Sequence, residues 1–139
     1  MQYKRVTLRD INNILKLDDR FGSSWSRGLY MERLSMYPDL AYGAFNNGKL
    51  VGFILGKRDL GGITISRIVV ERKLEGHGIG GNLVDVLTKS VSGKAEEMNS
   101  NVRKSNLRSL NLHKHRGFNI FGYHIYKDGE LGFKMKKRL

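Results

Sequence analysis

Four glycines within six residues, Gly76, Gly78, Gly80 and Gly81, separate the apolar run Ile63-Thr64-Ile65-Ser66-Arg67-Ile68-Val69-Val70 from a segment in which Ile79, Leu83, Val84, Val86 and Leu87 recur at helical spacing. The order is strand, glycine-rich loop, helix. With no side chains in the way, backbone N–H groups converge at the positive end of a helix, which makes an anion site suited to phosphate. The competing reading is a tight strand-to-helix turn and nothing more. It is not a P-loop, because no Lys-Ser/Thr pair follows the glycines, and the spacing Gly76-x-Gly78-x-Gly80 does not fit a dinucleotide fingerprint.

The rest of the chain supplies the frame for that loop. Tyr3 to Leu8 alternates as a strand and leads to Asp10, a good helix N-cap, before Ile11, Ile14, Leu15 and Leu17. Phe21-Gly22-Ser23-Ser24-Trp25 breaks this helix, and Ser26 caps a second one that runs to Pro38. Ala41 to Phe45 and Leu50 to Gly56 flank the hairpin signal Asn46-Asn47-Gly48-Lys49, and Asp59-Leu60-Gly61-Gly62 predicts a second hairpin. After the glycine-rich loop and its helix, residues 94–102 are polar and read as a strand only from their place in a βαβ crossover. A helix over Asn106 to Leu112 closes at Gly117, and Lys127-Asp128-Gly129 joins two last strands, Phe118 to Tyr126 and Glu130 to Met135.

Composition removes several function classes. The 139 residues fit one domain. With no cysteine there is no disulfide framework, no thiolate nucleophile and no cysteine-containing zinc site. His113-x-His115 and His77 lack a clustered carboxylate partner, so no metal site is expected. The N-terminus lacks a signal-peptide core and no window approaches the ~18 apolar residues of a membrane span, so a cytoplasmic protein is expected. The net charge of +12 is uneven, since residues 103–139 hold ten Lys and Arg against two carboxylates. That excess raises nucleic-acid binding as a rival function, but no nucleic-acid motif accompanies it and such binding is disfavoured. Proximity to the ribosome through this basic segment stays open.

Two motifs in order resemble one family. Ile68-Val69-Val70 followed by Glu75-Gly76-His77-Gly78-Ile79-Gly80 resembles the acetyl-CoA signature of GCN5-related N-acetyltransferases (GNATs), and Asn106-x-x-Ser109-x-x-Leu112-His113-x-x-x-Gly117-Phe118 resembles their Asn-x-x-Ala-x-x-Leu-Tyr-x-x-x-Gly-Phe segment. The element order also resembles that family along the whole chain. Within it, Asp18-x-x-Phe21-x-x-x-Trp25-Ser26 and Tyr126-x-Asp128-Gly129-Glu130 are similar to the ribosomal-protein and archaeal N-terminal acetyltransferases. The implied fold is α/β, a GNAT fold with a central mixed, mostly antiparallel sheet, a splayed parallel strand pair and flanking helices, as one domain over residues 1–139.

The resemblance implies direct transfer of acetyl from acetyl-CoA to an amine, a protein or peptide N-terminus or a small amine such as a polyamine or aminoglycoside. A non-catalytic acyl-CoA-binding domain is the other reading. By matched position, the backbone of Glu75, Gly76, His77, Gly78, Ile79, Gly80 and Gly81 would cradle the pyrophosphate. Ile68, Val69 and Val70 would hold the pantetheine arm, and the Asn106 side chain would bind the cofactor. Trp25, Asn101, Tyr123 and Tyr126 would line the acceptor groove. Three departures stand out. Glu75 replaces an Arg or Gln, Asn101 stands where a carboxylate or histidine base is common, and His113 replaces the tyrosine that protonates the thiolate. A histidine near pKa ~6.5 can donate that proton. Glu71, Tyr123, Tyr126 or a water held by Asn101 are the candidates for deprotonating the amine, and His113 has the competing reading of a polar helix-surface residue.

Overall fold

The computed structural model describes residues 1–19 and 25–139. Seven strands form one sheet in the order β1-β2-β3-β4-β5-β7-β6, where β1 is Gln2–Arg5, β2 Ala41–Asn46, β3 Lys49–Asp59, β4 Gly62–Val70, β5 Glu97–Arg103, β6 Asn119–Ile125 and β7 Leu131–Arg138. Every neighbouring pair is antiparallel except β4 and β5. Four helices flank it: α1 Ile11–Asp19, α2 Arg27–Met36, α3 Ile79–Val91 and α4 Leu107–His115. This is the mixed, mostly antiparallel α/β fold expected from the motifs. Among the described residues no helix is long and apolar enough to cross a membrane.

Several element boundaries differ from the sequence reading: β3 runs on to Asp59 and β7 to Arg138, each three residues past the expected end. β1 stops at Arg5, and Thr7, not Asp10, is the cap: its hydroxyl accepts from the Arg9 N–H at 3.3 Å while Asp10 Oδ2 accepts from the Thr7 N–H at 2.9 Å. The acid closes a capping box from inside the first turn. β5 begins at Glu97, later than the expected 94, because Met98, Ser100 and Val102 form its buried face and nothing upstream continues that alternation. The Phe21 to Ser24 portion of the expected helix break lies outside the described residues.

Alternation in β3 divides the interior. Val51 and Ile54 join Leu83, Leu87 and Met98 under α3 and α4, whereas Leu50, Phe53 and Leu55 join Ile14, Leu17, Tyr30 and Leu34 under α1 and α2. The sheet therefore has a cofactor-loop face and an α1/α2 face. Its decisive feature is the parallel pair: β4 and β5 are in register only from Gly62 opposite Glu97 to Ile65 opposite Ser100. A bulge against β3 follows at Ser66, since Leu55 pairs with Arg67 and Gly56 with Ile65. Beyond that point the two strands part, and residues 66–70 keep β3 on one side and a free backbone edge on the other.

Candidate active site

The glycine-rich loop is built as its composition demands. After Val70, a short turn at Arg72–Leu74 leads to Gly76 at φ +84 and Gly78 at φ +81, a left-handed geometry that glycine adopts without strain. Gly78 is the N-cap of α3 and no side chain caps this helix, so its first N–H groups face the cleft with the positive end of the dipole behind them. Gly80 and Gly81 act differently. A Cβ on Gly80 would come within 2.7 Å of Leu112 Cδ1, and one on Gly81 within 2.3 Å of the Arg116 guanidinium. These two glycines let α4 lie against the first turn of α3, which turns a loop into the floor of a cleft.

That cleft is a cavity of about 510 Å³ lined by Ile68, Val69, Val70, Glu75, Gly76, Gly78, Ile79, Gly80, Gly81 and Asn106, joined by Arg108, Leu112 and Arg116 of α4 and the residue after it. Glu75 pairs with Arg108 at 3.4 Å and Arg116 with Asp85 at 3.0 Å, so the cations beside the loop come from the α4 side and offset the unexpected carboxylate. His77 does not line the cavity. Its Nδ1 lies 3.1 Å from the Leu74 carbonyl, a bond that closes the loop on itself.

A second cavity, about 660 Å³, opens where β4 and β5 part. Trp25, Ser66, Asn101, Arg103 and Tyr126 line it from the α1/α2 side, and Ser100 of β5 and His113 of α4 line it from the cofactor-loop side. The two cavities share Arg67, Ile68, Asn106 and Ser109. A ligand laid along the glycine-rich loop and one entering from the other face would therefore meet at the gap between the strands.

His113 is not on the helix surface, since its exposure is 1%. Its Nδ1 sits 2.7 Å from the Ser109 carbonyl, which can only accept, so that nitrogen carries the hydrogen. Nε2 then accepts from the Ser100 hydroxyl at 2.9 Å. Burial pushes the imidazole pKa down from the usual 6.5, against the opposing effect of the Ser109 carbonyl, and Lys137 adds to the lowering. At neutral pH the ring is uncharged and oriented.

Other expected residues divide between the site and its surroundings. Asn106 uses Oδ1 to cap α4 at the Ser109 N–H, 3.1 Å away, which leaves its amide NH₂ for a ligand. The Tyr126 ring lies under the Arg103 guanidinium at 4.0 Å, fitted over Gly132, and burial raises its phenol pKa, so it is a donor and a poor base. Two residues fall outside both cavities. Glu71 is buried and its N–H bonds the Val51 carbonyl at 2.8 Å. Tyr123 pairs in register with Phe133, and Phe133 with Val102, which puts it on the cofactor-loop face and 65% exposed. Sequence reasoning missed Ser100 as the histidine's partner and missed Arg67. The Arg67 Nε donates to Asp18 at 3.1 Å, and this carboxylate is buried. Both were signalled: Asp18 falls one turn beyond Ile14 on the apolar face of α1, and Arg67 interrupts an apolar strand.

The acetyltransferase (GNAT) family model matches residues 8–118. The chain is 27% identical to an uncharacterised N-acetyltransferase of Methanocaldococcus jannaschii, covering 99% of this chain and 92% of that protein. It superposes on a crystal structure of the NatC complex bound to Gag peptide and CoA with a TM-score of 0.90 at 26% identity, covering 99% of this chain and 98% of that one. Ard1 from Thermoplasma volcanium gives a TM-score of 0.90 at 19% identity, covering 99% and 97% of the two chains. The ribosomal-protein-S18-alanine N-acetyltransferase of Escherichia coli gives 0.86 at 21%, covering 99% and 92%, and these two likenesses concern the fold.

Proposed function

The chain belongs to the GNAT acetyltransferase family and is an acetyl-CoA-dependent N-acetyltransferase, and from this premise we propose that its acceptor is the α-amine of a protein or peptide N-terminus. The observation that carries this reading is that, among the described residues, no carboxylate lines the second cavity. Its two guanidiniums are paired, Arg67 with the Asp18 carboxylate and Arg103 with Asp128 and Glu130, so these carboxylates are already engaged. A polyamine or aminoglycoside brings several positive charges and needs carboxylates to replace their hydration. A peptide N-terminus brings one amine and a backbone of neutral hydrogen-bonding groups. The peptide in the similar NatC structure supports the same choice.

The residues fit acetyl-CoA. The uncapped α3 terminus and the positive-φ glycines suit its pyrophosphate, and the free edge of residues 66–70 suits a strand-like partner for the pantetheine amides. When bound, acetyl-CoA supplies the acetyl group as an activated thioester. A nitrogen–carbon bond then forms, the carbon–sulfur bond breaks, and one amine proton must leave while sulfur takes one. His113 and Ser100 serve that exchange: the Ser100 oxygen receives the amine proton as its own hydrogen passes to Nε2, and the imidazolium formed is held by the Ser109 carbonyl until the proton returns through Ser100 to sulfur. No strong base is required, because an α-amine near pKa ~8 is partly neutral at pH 7, whereas a lysine near ~10.4 is not.

The test is a side-by-side measurement of CoA release with N-terminal peptides, spermidine-like polyamines and an aminoglycoside. Peptides should be turned over with kcat/KM about 100-fold or more above the polycations, the ratio that a few kcal/mol of unreplaced ammonium hydration produces. Faster turnover of a polycation would remove the reading.

A further inference from the structure

Three of the ten cations of residues 103–139 lie on one face of one strand. In β7, Lys134, Lys136 and Arg138 alternate with Phe133, Met135 and Lys137. Met135 is buried and Phe133 packs on the α3 side, so the other three side chains project from the α1/α2 face. All three are exposed, and none is ion-paired among the described residues. Lys136 lies over the Phe121 ring of β6 at 4.8 Å. Across the register stand Asn101, Asn99 and Glu97, a single carboxylate against three cations. α1 and α2 pack on β3 and β4, the other half of this face.

The row begins at the acceptor cavity. Asn101 lines that cavity and is the register partner of Lys134. From there the cations step away along β7 over about 13 Å, the reach of about four extended residues. Alternate side chains of an extended peptide repeat at about 6.8 Å, which is also the repeat of Lys134, Lys136 and Arg138.

We infer that this row docks an acidic stretch of the acceptor protein that follows the acetylated N-terminus. The inference rests on the peptide-acceptor reading above. It makes the enzyme selective for N-termini trailed by Asp or Glu, through charge complementarity that raises the encounter rate and lowers KM without touching the chemistry. Continuity with the acceptor cavity favours a peptide over a polynucleotide as the occupant.

The experiment compares two peptides that share their first three residues and differ downstream, one with alternating Glu and the other with Gln at the same positions. Both are assayed with the native protein and with K134Q/K136Q/R138Q at low salt. For the native protein, KM should be about tenfold lower for the acidic peptide, an advantage of the size three exposed ion pairs give, and it should shrink at high salt. The triple variant should lose that advantage while its kcat and its KM for the Gln peptide stay unchanged. Equal KM values for the two peptides with the native protein would overturn the docking surface and leave the acceptor reading standing. Acetylation of neither peptide would overturn both. Tight, salt-steep binding of single-stranded RNA that the triple variant loses, with no preference between the peptides, would reassign the row to nucleic acid.

Discussion

Replacing Gly78 with valine should weaken acetyl-CoA binding at least about 100-fold, measured by titration calorimetry. The residue sits at φ +81 with α3 starting behind it, and a β-branched residue there carries about 1–2 kcal/mol of left-handed strain. The loop relieves that strain by leaving the left-handed region, which turns its N–H groups away from the anion. Each charge-assisted bond lost costs about 1.5–3 kcal/mol, and 1.4 kcal/mol is a factor of ten. Gly48 provides the control. It has the same φ of +81 in the β2–β3 turn, remote from both cavities. Gly48→Val should lower the melting temperature and leave acetyl-CoA affinity unchanged. Native affinity in Gly78→Val would mean that the glycines serve only the turn.

His113→Phe should lower kcat by about 100-fold, the usual scale of one proton-transfer group, with acetyl-CoA affinity within about twofold of the native protein because the cradle is untouched. Ser100→Ala should match it, and the double variant should fall little further, since the two groups act as one unit. The pH profile separates this from a packing role. Neutral His113 is the active form and burial lowers its pKa, so native kcat should hold through pH 7 and fall only below the usual histidine value of 6.5. That acid limb should vanish in His113→Phe. An unchanged kcat would reduce His113 to a partner of Phe118, whose ring it meets edge-on at 4.9 Å.

The glycine-rich loop was legible because it is local. Positive φ and an uncapped helix start follow from the residues at those positions, and the hairpins at Asn47-Gly48 and Asp128-Gly129 were equally local. His113 was not, because its neighbours Lys114, His115 and Arg116 are polar and its burial depends on Ser100 of β5 and on Phe118. Tyr123 failed for a related reason. The bulge between Ile120 and Gly122 resets the alternation of β6, so the face presented by Tyr123 depends on register with β7. The polar β5 concealed a strand whose inward face contains a serine, and that serine is the histidine's partner. The cations beside the glycine-rich loop sat in the sequence as a dispersed basic tail until α4 packed against Gly80 and Gly81 and brought Arg108 and Arg116 to the cleft.

The proposed acceptor is an N-terminal α-amine. Incubating the protein and acetyl-CoA with a peptide that carries both a free N-terminus and an internal lysine, followed by tandem mass spectrometry, tests it directly. Acetyl on the α-amine with the lysine unmodified is the predicted result; acetyl on the lysine, or an unmodified peptide under conditions in which small amines are acetylated, would contradict it.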